Sequence, residues 1–227
     1  MDIRRRFLGI HEEGTATESN IIYYTTKNNS TITPYKTTGY GANYIGSSYN
    51  DGVGTLVFDG PITRIPAYAF YQCSFLASIV FPNTITSIEN NALQDCAYLK
   101  TVTLPNRITV LHTGLFFGCD NSLNSIEIPE SVIEIGNNVF RECLALRTLT
   151  IPQNVTRIGN YLIYNSGVSS IYFRPVTPPA LSSDTLKLFT ALNQTMPTLY
   201  VPNTALDAYK SATVWSNYTS YIRGYNF

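Results

Sequence analysis

Charge is scarce in this chain of 227 residues. Asp, Glu, Lys and Arg make up 13% of it, against roughly 25% in an average soluble protein. Basic and acidic residues balance at 15 each, so the net charge is zero. No bulk field draws the chain to nucleic acid or to an anionic membrane. No apolar run approaches the roughly 20 residues of a membrane span, so membrane insertion is not expected. There are two histidines, His11 and His112, far apart and without an Asp or Cys at catalytic spacing. No Gly-rich phosphate loop and no Gly-x-Ser-x-Gly elbow occurs. Carboxylates are scattered singly, so no glycosidase pair can be named. The chain therefore reads as non-enzymatic, with no catalytic residue, metal ligand or cofactor contact expected. At the N-terminus, Arg4, Arg5 and Arg6 precede only Phe7, Leu8, Gly9 and Ile10. That stretch is short of the roughly 7–15 apolar residues of a secretory signal. Either export does not use that route, or a signal lies outside this sequence.

What is present is apolar and aromatic. Forty-four per cent of residues are hydrophobic and 17 are tyrosine. That is enough for a sizeable core. Tyrosine is both a good strand residue and a rigid, polar-tipped contact residue, and composition alone leaves the two open.

Self-similarity decides the fold class. The segments Ser78–Pro82, Thr101–Pro105, Ser125–Pro129 and Thr148–Pro152 align with one another. Thr55–Asp59 is the same unit one period earlier, and Ser170–Phe173 one period later. A degenerate copy is Leu199-Tyr200-Val201-Pro202. An apolar pair three apart follows each strand, as in Ile85 and Ile88 or Val132 and Ile135. Then Ala92, Cys96 and Leu99, and their equivalents, fall at helical spacing. The third copy carries one extra residue before Leu123, and the fifth has Ser166 where the others have Cys. Alternate apolar residues of each strand point inward, and proline ends the strand because it has no N–H to continue a ladder. One such coil cannot offset its own chain entropy, so coils must stack and the ends must be capped.

The expected architecture is a repeat solenoid of leucine-rich type, with short parallel strands and short helical turns in about five to six coils. Residues 1–54 would form a tail and a hairpin cap, with Ile21–Thr26 pairing back on Thr31–Thr33. Residues 55–173 would form the solenoid. Residues 174–227 would hold an insertion at 180–196 with a short helix around Leu186–Leu192, the degenerate repeat and a helical cap. Thr204 and Asp207 are placed to make a capping box for a helix running to Trp215, with Leu206, Tyr209 and Trp215 closing the core. Cys73, Cys96, Cys119 and Cys143 recur once per coil. That is a ladder of small buried groups rather than a metal cluster, and parallel side chains in a ladder are badly oriented for disulfides, so free thiols are expected.

These residues resemble the BspA-like leucine-rich repeats, abundant in surface proteins of gut and oral Bacteroidetes. The fourth copy carries the family unit best, with Ile128-Pro129, Val132, Ile135-Gly136, Val139-Phe140 and Cys143. The resemblance implies a scaffold without a shared active site, found at the cell surface or secreted, with members that act as adhesins. The outward strand positions Val57, Val80, Thr103, Glu127, Thr150 and Tyr172 are the candidate binding strip for a protein or glycan. Beside them run Thr55, Ser78, Thr101, Ser125, Thr148 and Ser170, which equally suit structural hydroxyl ladders. A structural or receptor-binding part of a larger assembly, such as a prophage or appendage, is the alternative function.

Overall fold

The computed structural model describes residues 19–182, 189 and 195–227. The tail with Arg4–Arg6 and His11, and the helix expected around Leu186–Leu192, lie outside those residues. Three strands come first among the described residues: β1 (Ile21–Thr26), β2 (Tyr44–Asn50) and β3 (Val53–Phe58). Beyond them, strands of a main sheet alternate with two-residue strands of a second face. In chain order these are β4 (Arg64–Ile65), β5 (Leu76–Val80), β6 (Ser87–Ile88), β7 (Thr101–Thr103), β8 (Val110–Leu111), β9 (Glu134–Ile135), β10 (Thr148–Ile151), β11 (Arg157–Ile158), β12 (Ser170–Phe173), β13 (Ala180–Leu181) and β14 (Thr198–Pro202). A helix, α1 (Leu206–Ser211), a 3₁₀ segment at Trp215–Tyr221 and β15 (Ile222–Tyr225) finish the chain. The whole is a β-solenoid of about 7 turns with little helix.

The inward pattern is the one alternation dictates. In β10 and β12, Leu149, Ile151, Ile171 and Phe173 are buried while Thr148 and Thr150 face solvent. Three of these prolines also start a turn, and the N–H groups of Ile85, Val132 and Val155 donate to the carbonyls of Pro82, Pro129 and Pro152. The second apolar pair of each coil lands on β6, β8, β9 or β11, where Ile88, Leu111, Ile135 and Ile158 stack fully buried. Each such side chain contributes about 1.5–3 kcal/mol by leaving water.

The segments with helical spacing are not α-helix. They are chained turns in which the N–H groups of Tyr71, Cys73 and Leu76 donate to Tyr68, Phe70 and Cys73 three residues back. Every fourth residue is left-handed, at Tyr68 and Gln72, Asn91 and Asp95, Gly114 and Gly118, Asn138 and Glu142, Tyr161 and Asn165. Alternate N–H groups then point along the solenoid. Tyr68, Phe70 and Gln72 donate to the carbonyls of Asn90, Ala92 and Gln94 in the next coil at 2.8–3.1 Å, and the following coils repeat this. The coils are thus tied on a third face as well.

The main sheet is not continuous. One sheet has the order β2-β3-β1-β5-β7 and another β10-β12-β14-β15, while residues 124–129 between them carry no strand. That unpaired copy is the one with the extra residue before Leu123. At the N-terminus the expected hairpin of 21–26 on 31–33 is not formed. Instead β1 lies antiparallel between β3 and β5, and β2 and β3 make the hairpin through Asp51–Gly52. The strand at 55–58 therefore does not pair with the strand of the next coil. At the other end Ala205 precedes α1 without a side-chain cap bond, so Thr204 and Asp207 form no capping box, and α1 stops at Ser211, short of Trp215. Tyr209 and Trp215 do close the core. Tyr209 Oη donates to the Pro175 carbonyl at 2.9 Å and Trp215 Nε1 to the Pro179 carbonyl at 2.7 Å.

Candidate binding surface

The outward face of the main sheet is set by register. Val80 pairs with Thr103, and Thr150 with Tyr172, so those two pairs of the strip are neighbours. Val57 is not on the same row. Tyr23 of β1 stands opposite Val80, and Thr55, not Val57, stands opposite Tyr23. Ser48 of β2 continues that row beyond Thr55. Glu127 is exposed but sits in the unpaired stretch 124–129, so the strip is interrupted there. Val57, Val80, Thr103 and Tyr172 are half-buried, and Thr150 is exposed.

The Ser/Thr row divides in two. Where β1 covers it, Ser78 is 2% exposed and shares a hydroxyl–hydroxyl bond of 2.6 Å with Thr25. Thr55 likewise meets Ser48 at 2.8 Å. These hydroxyls bind cap strands rather than one another along the solenoid. Thr101, Ser125 and Thr148 remain exposed.

At the far end the sheet carries residues the repeat alignment did not single out. Tyr172 pairs with Tyr200, and Tyr200 with Arg223. The Tyr172 and Tyr200 rings stack with centroids 4.7 Å apart and planes 10° apart. Tyr225 packs edge-on against both, at 5.3 and 5.6 Å, and Phe227 against Tyr225 at 5.0 Å. Tyr200 was legible, because Leu199 and Val201 occupy the inward positions of a degenerate copy. Arg223 follows one repeat length later, in a stretch without the alternation that would have marked it.

The four thiols are free. Cys96, Cys119 and Cys143 donate to the carbonyls of Phe70, Leu93 and Phe116 one coil back, at 3.1, 3.3 and 3.1 Å. Burial raises all of them above the ordinary thiol range, Cys73 to about 11. Cys96, Cys119 and Cys143 are donors in the core, not nucleophiles, and Cys73 packs partly buried at its edge. Among the described residues no group of three or more His, Cys, Asp or Glu could hold a metal ion. Asp95 is raised by burial, with Glu142 and Asp120 adding to it, and Gln94 donates to it at 3.3 Å. His112 lies half-buried in its turn. Among the described residues no helix is long and apolar enough to cross a membrane.

Residues 58–178 match the family model of the BspA type leucine-rich repeat region, in 6 copies. A search of curated proteins finds no significant match. Among solved structures, the chain is similar to a leucine-rich cell surface protein from Faecalibacterium prausnitzii at 32% identity and a TM-score of 0.46. That likeness covers 50% of this chain and 30% of that one. A leucine-rich repeat protein of T. pallidum is similar at 24% identity, over 74% of this chain and 81% of that one, with a TM-score of 0.51. A leucine-rich repeat protein from Bacteroides ovatus is similar at 21% identity, over 72% of this chain and 47% of that one, at 0.45. The likeness to the T. pallidum protein is one of fold.

Proposed function

The chain belongs to the BspA-type leucine-rich repeat family, and from that premise we propose that it is a binding module without catalytic chemistry, engaging a protein or glycan through the outward face of its main sheet. Repeat proteins of this kind are binding scaffolds whose stacked coils present an extended surface. One observation carries the reading. The inward residues of β10, β12 and β14 build the core, while their outward neighbours Thr150, Tyr172 and Tyr200 are not needed for it and vary in chemistry. The strip of Val80, Thr103, Glu127, Thr150 and Tyr172 is the surface a partner reads, with Tyr23 and Thr55 standing where Val57 was expected. We place this activity at the cell surface, as an adhesion or interaction module, because the family's repeats build surface proteins.

Two experiments test this. Protease shaving of intact native cells should remove the protein, whereas a protein sealed in the cytoplasm, or co-purifying with phage-like particles, would move the function to an internal assembly. A panel of matrix proteins and glycans should include a ligand whose binding is lost in the double variant Glu127→Lys, Tyr172→Ala, with a melting temperature no lower than that of Tyr172→Ala alone, which loses the ring contacts to Tyr200 and Tyr225. Retained binding would place the site off this strip.

A further inference from the structure

We infer that the tyrosine cluster of β12, β14 and β15, with Arg223, is a preformed anchor for an acidic protein segment. The inference rests on the binding-module reading and names its partner class. Tyr225 and Phe227 are 41% and 55% exposed, and Tyr172 and Tyr200 are half-buried, so the cluster reaches solvent. It serves the outer surface, since the inward side of these strands is filled by Ile171, Phe173, Leu199 and Val201.

The way the rings pack selects the partner. A sugar needs a free aromatic face to lie on. Here Tyr172 stacks on one face of Tyr200, and Tyr225 packs edge-on against both. The rings hold one another, so the stacked faces of Tyr172 and Tyr200 are closed to a ligand. Among the described residues the hydroxyls of Tyr172, Tyr200 and Tyr225 form no hydrogen bond. Three rigid O–H donors are thus left for an acceptor outside the chain. Aromatic side chains already fixed in place lose little entropy on binding.

Charge adds the second selection. Arg223 stands in register beside Tyr200. Its Nη1 rests on the carbonyls of Ser220 and Ile222, at 2.8 and 2.9 Å, and among the described residues no carboxylate pairs with it. Arg174, which follows β12, is by contrast paired with Glu130. A cation without a counter-charge beside three unused hydroxyl donors complements a segment bearing Asp or Glu. Tyrosine and arginine are also the residues that most often dominate protein–protein contacts.

The test is selection of a phage-displayed library of random peptides on the intact protein, alongside a glycan array. Peptides rich in Asp and Glu should be enriched. Arg223→Glu should weaken them about tenfold or more, and Tyr200→Phe several-fold. Tyr200→Phe keeps the ring packing, so its melting temperature should match the parent, which a merely structural role would not allow, and Arg223→Glu loses only surface bonds to the Ser220 and Ile222 carbonyls, so it should stay folded. Enriched peptides without carboxylates, or acidic peptides indifferent to both variants, would overturn the inference while leaving the binding module intact. Glycans bound in place of peptides would overturn the partner class. No binding by the parent to either library would count against both the anchor and the module.

Discussion

Gly54 has no side chain because the ring of Tyr24 occupies its place. The two residues pair across β1 and β3, and a Cβ on Gly54 would overlap the phenol ring. The ring can lie there because Tyr24 has work at its far end. Its hydroxyl donates to the Ser48 carbonyl at 3.2 Å and accepts from the Ile32 N–H at 3.1 Å. One side chain thereby joins β1 to the hairpin of β2 and β3 and to the loop beyond Ser30. Gly54→Ala forces the ring out of a packed site whose ends are both tied, and should cost about 1–3 kcal/mol by overpacking. Gly46→Ala is the internal control. Nothing lies within 4 Å of a Cβ there, so its effect should be near zero. Urea unfolding of the two variants checks this, and equal losses would show that the Tyr24 contact does not govern the site. Gly54 is thus a strand position emptied for a neighbour.

At the scale of elements, the four-residue turn is the unit that sequence spacing disguised. Positions i, i+4 and i+7 also arise from two consecutive turns of four residues, so Ala92, Cys96 and Leu99 share a buried face without forming an α-helix. The distinguishing signal was Gly114 and Gly118, which stand where other coils have Asn91 and Asp95. Glycine and asparagine tolerate the left-handed backbone that ends each turn. The strand repeats were legible because inward alternation and a terminal proline are local. The insertion of β1 between β3 and β5 was not legible, because nothing in Ile21–Thr26 records which edge it meets. Only Ser78, buried against Thr25, betrays it afterwards. In the candidate site, Tyr172 was found through the repeat, whereas Tyr225 and Arg223 lie on a last strand with no repeat to align. The turn ladder yields a paired prediction. Gln72 is exposed and left-handed at φ 57°. Gln72→Gly should raise stability by up to about 1 kcal/mol, because the strain removed exceeds the added chain entropy. Gly118 is left-handed at φ 72°, and an added Cβ would overlap the Asp95 carboxylate. Gly118→Ala should lower stability by about 1–2 kcal/mol. Melting temperatures that move the same way in both variants would refute the turn assignment.

Across the whole molecule, buried groups that must stay protonated are spread from cap to cap. Tyr24 and Tyr40 sit in the N-terminal cap, the four thiols run through the coils, and Tyr209 and Tyr218 close the other end. Burial is the largest cause of the rise for each of them. Cys73 is pushed up to about 11 and Tyr218 to about 12, from ordinary values of 9.0 and 10.0. An unfolded chain loses these protons first, so above the unfolded values the native state binds more protons than the unfolded state. Stability then falls as pH rises, by about 1.4 kcal/mol per pH unit for each group in that window. The contribution of these groups is complete below about pH 8, declines first through the thiols and then through the phenols, and for Cys73 is exhausted as pH passes about 11. Because each coil is held only by its neighbours, a charge forced into one coil loosens the stack rather than a local patch. Guanidinium unfolding from pH 7 to 10.5 should show a plateau and then a steep loss. Replacing all four cysteines with alanine should lower the plateau by removing core donors. It should also make the decline shallower between pH 9 and 10, where the phenols of the unfolded chain are still mostly protonated. An unchanged slope in that window would mean the thiols are accessible in the folded chain, and the ladder from Phe70 to Cys143 would not be the sealed core described above.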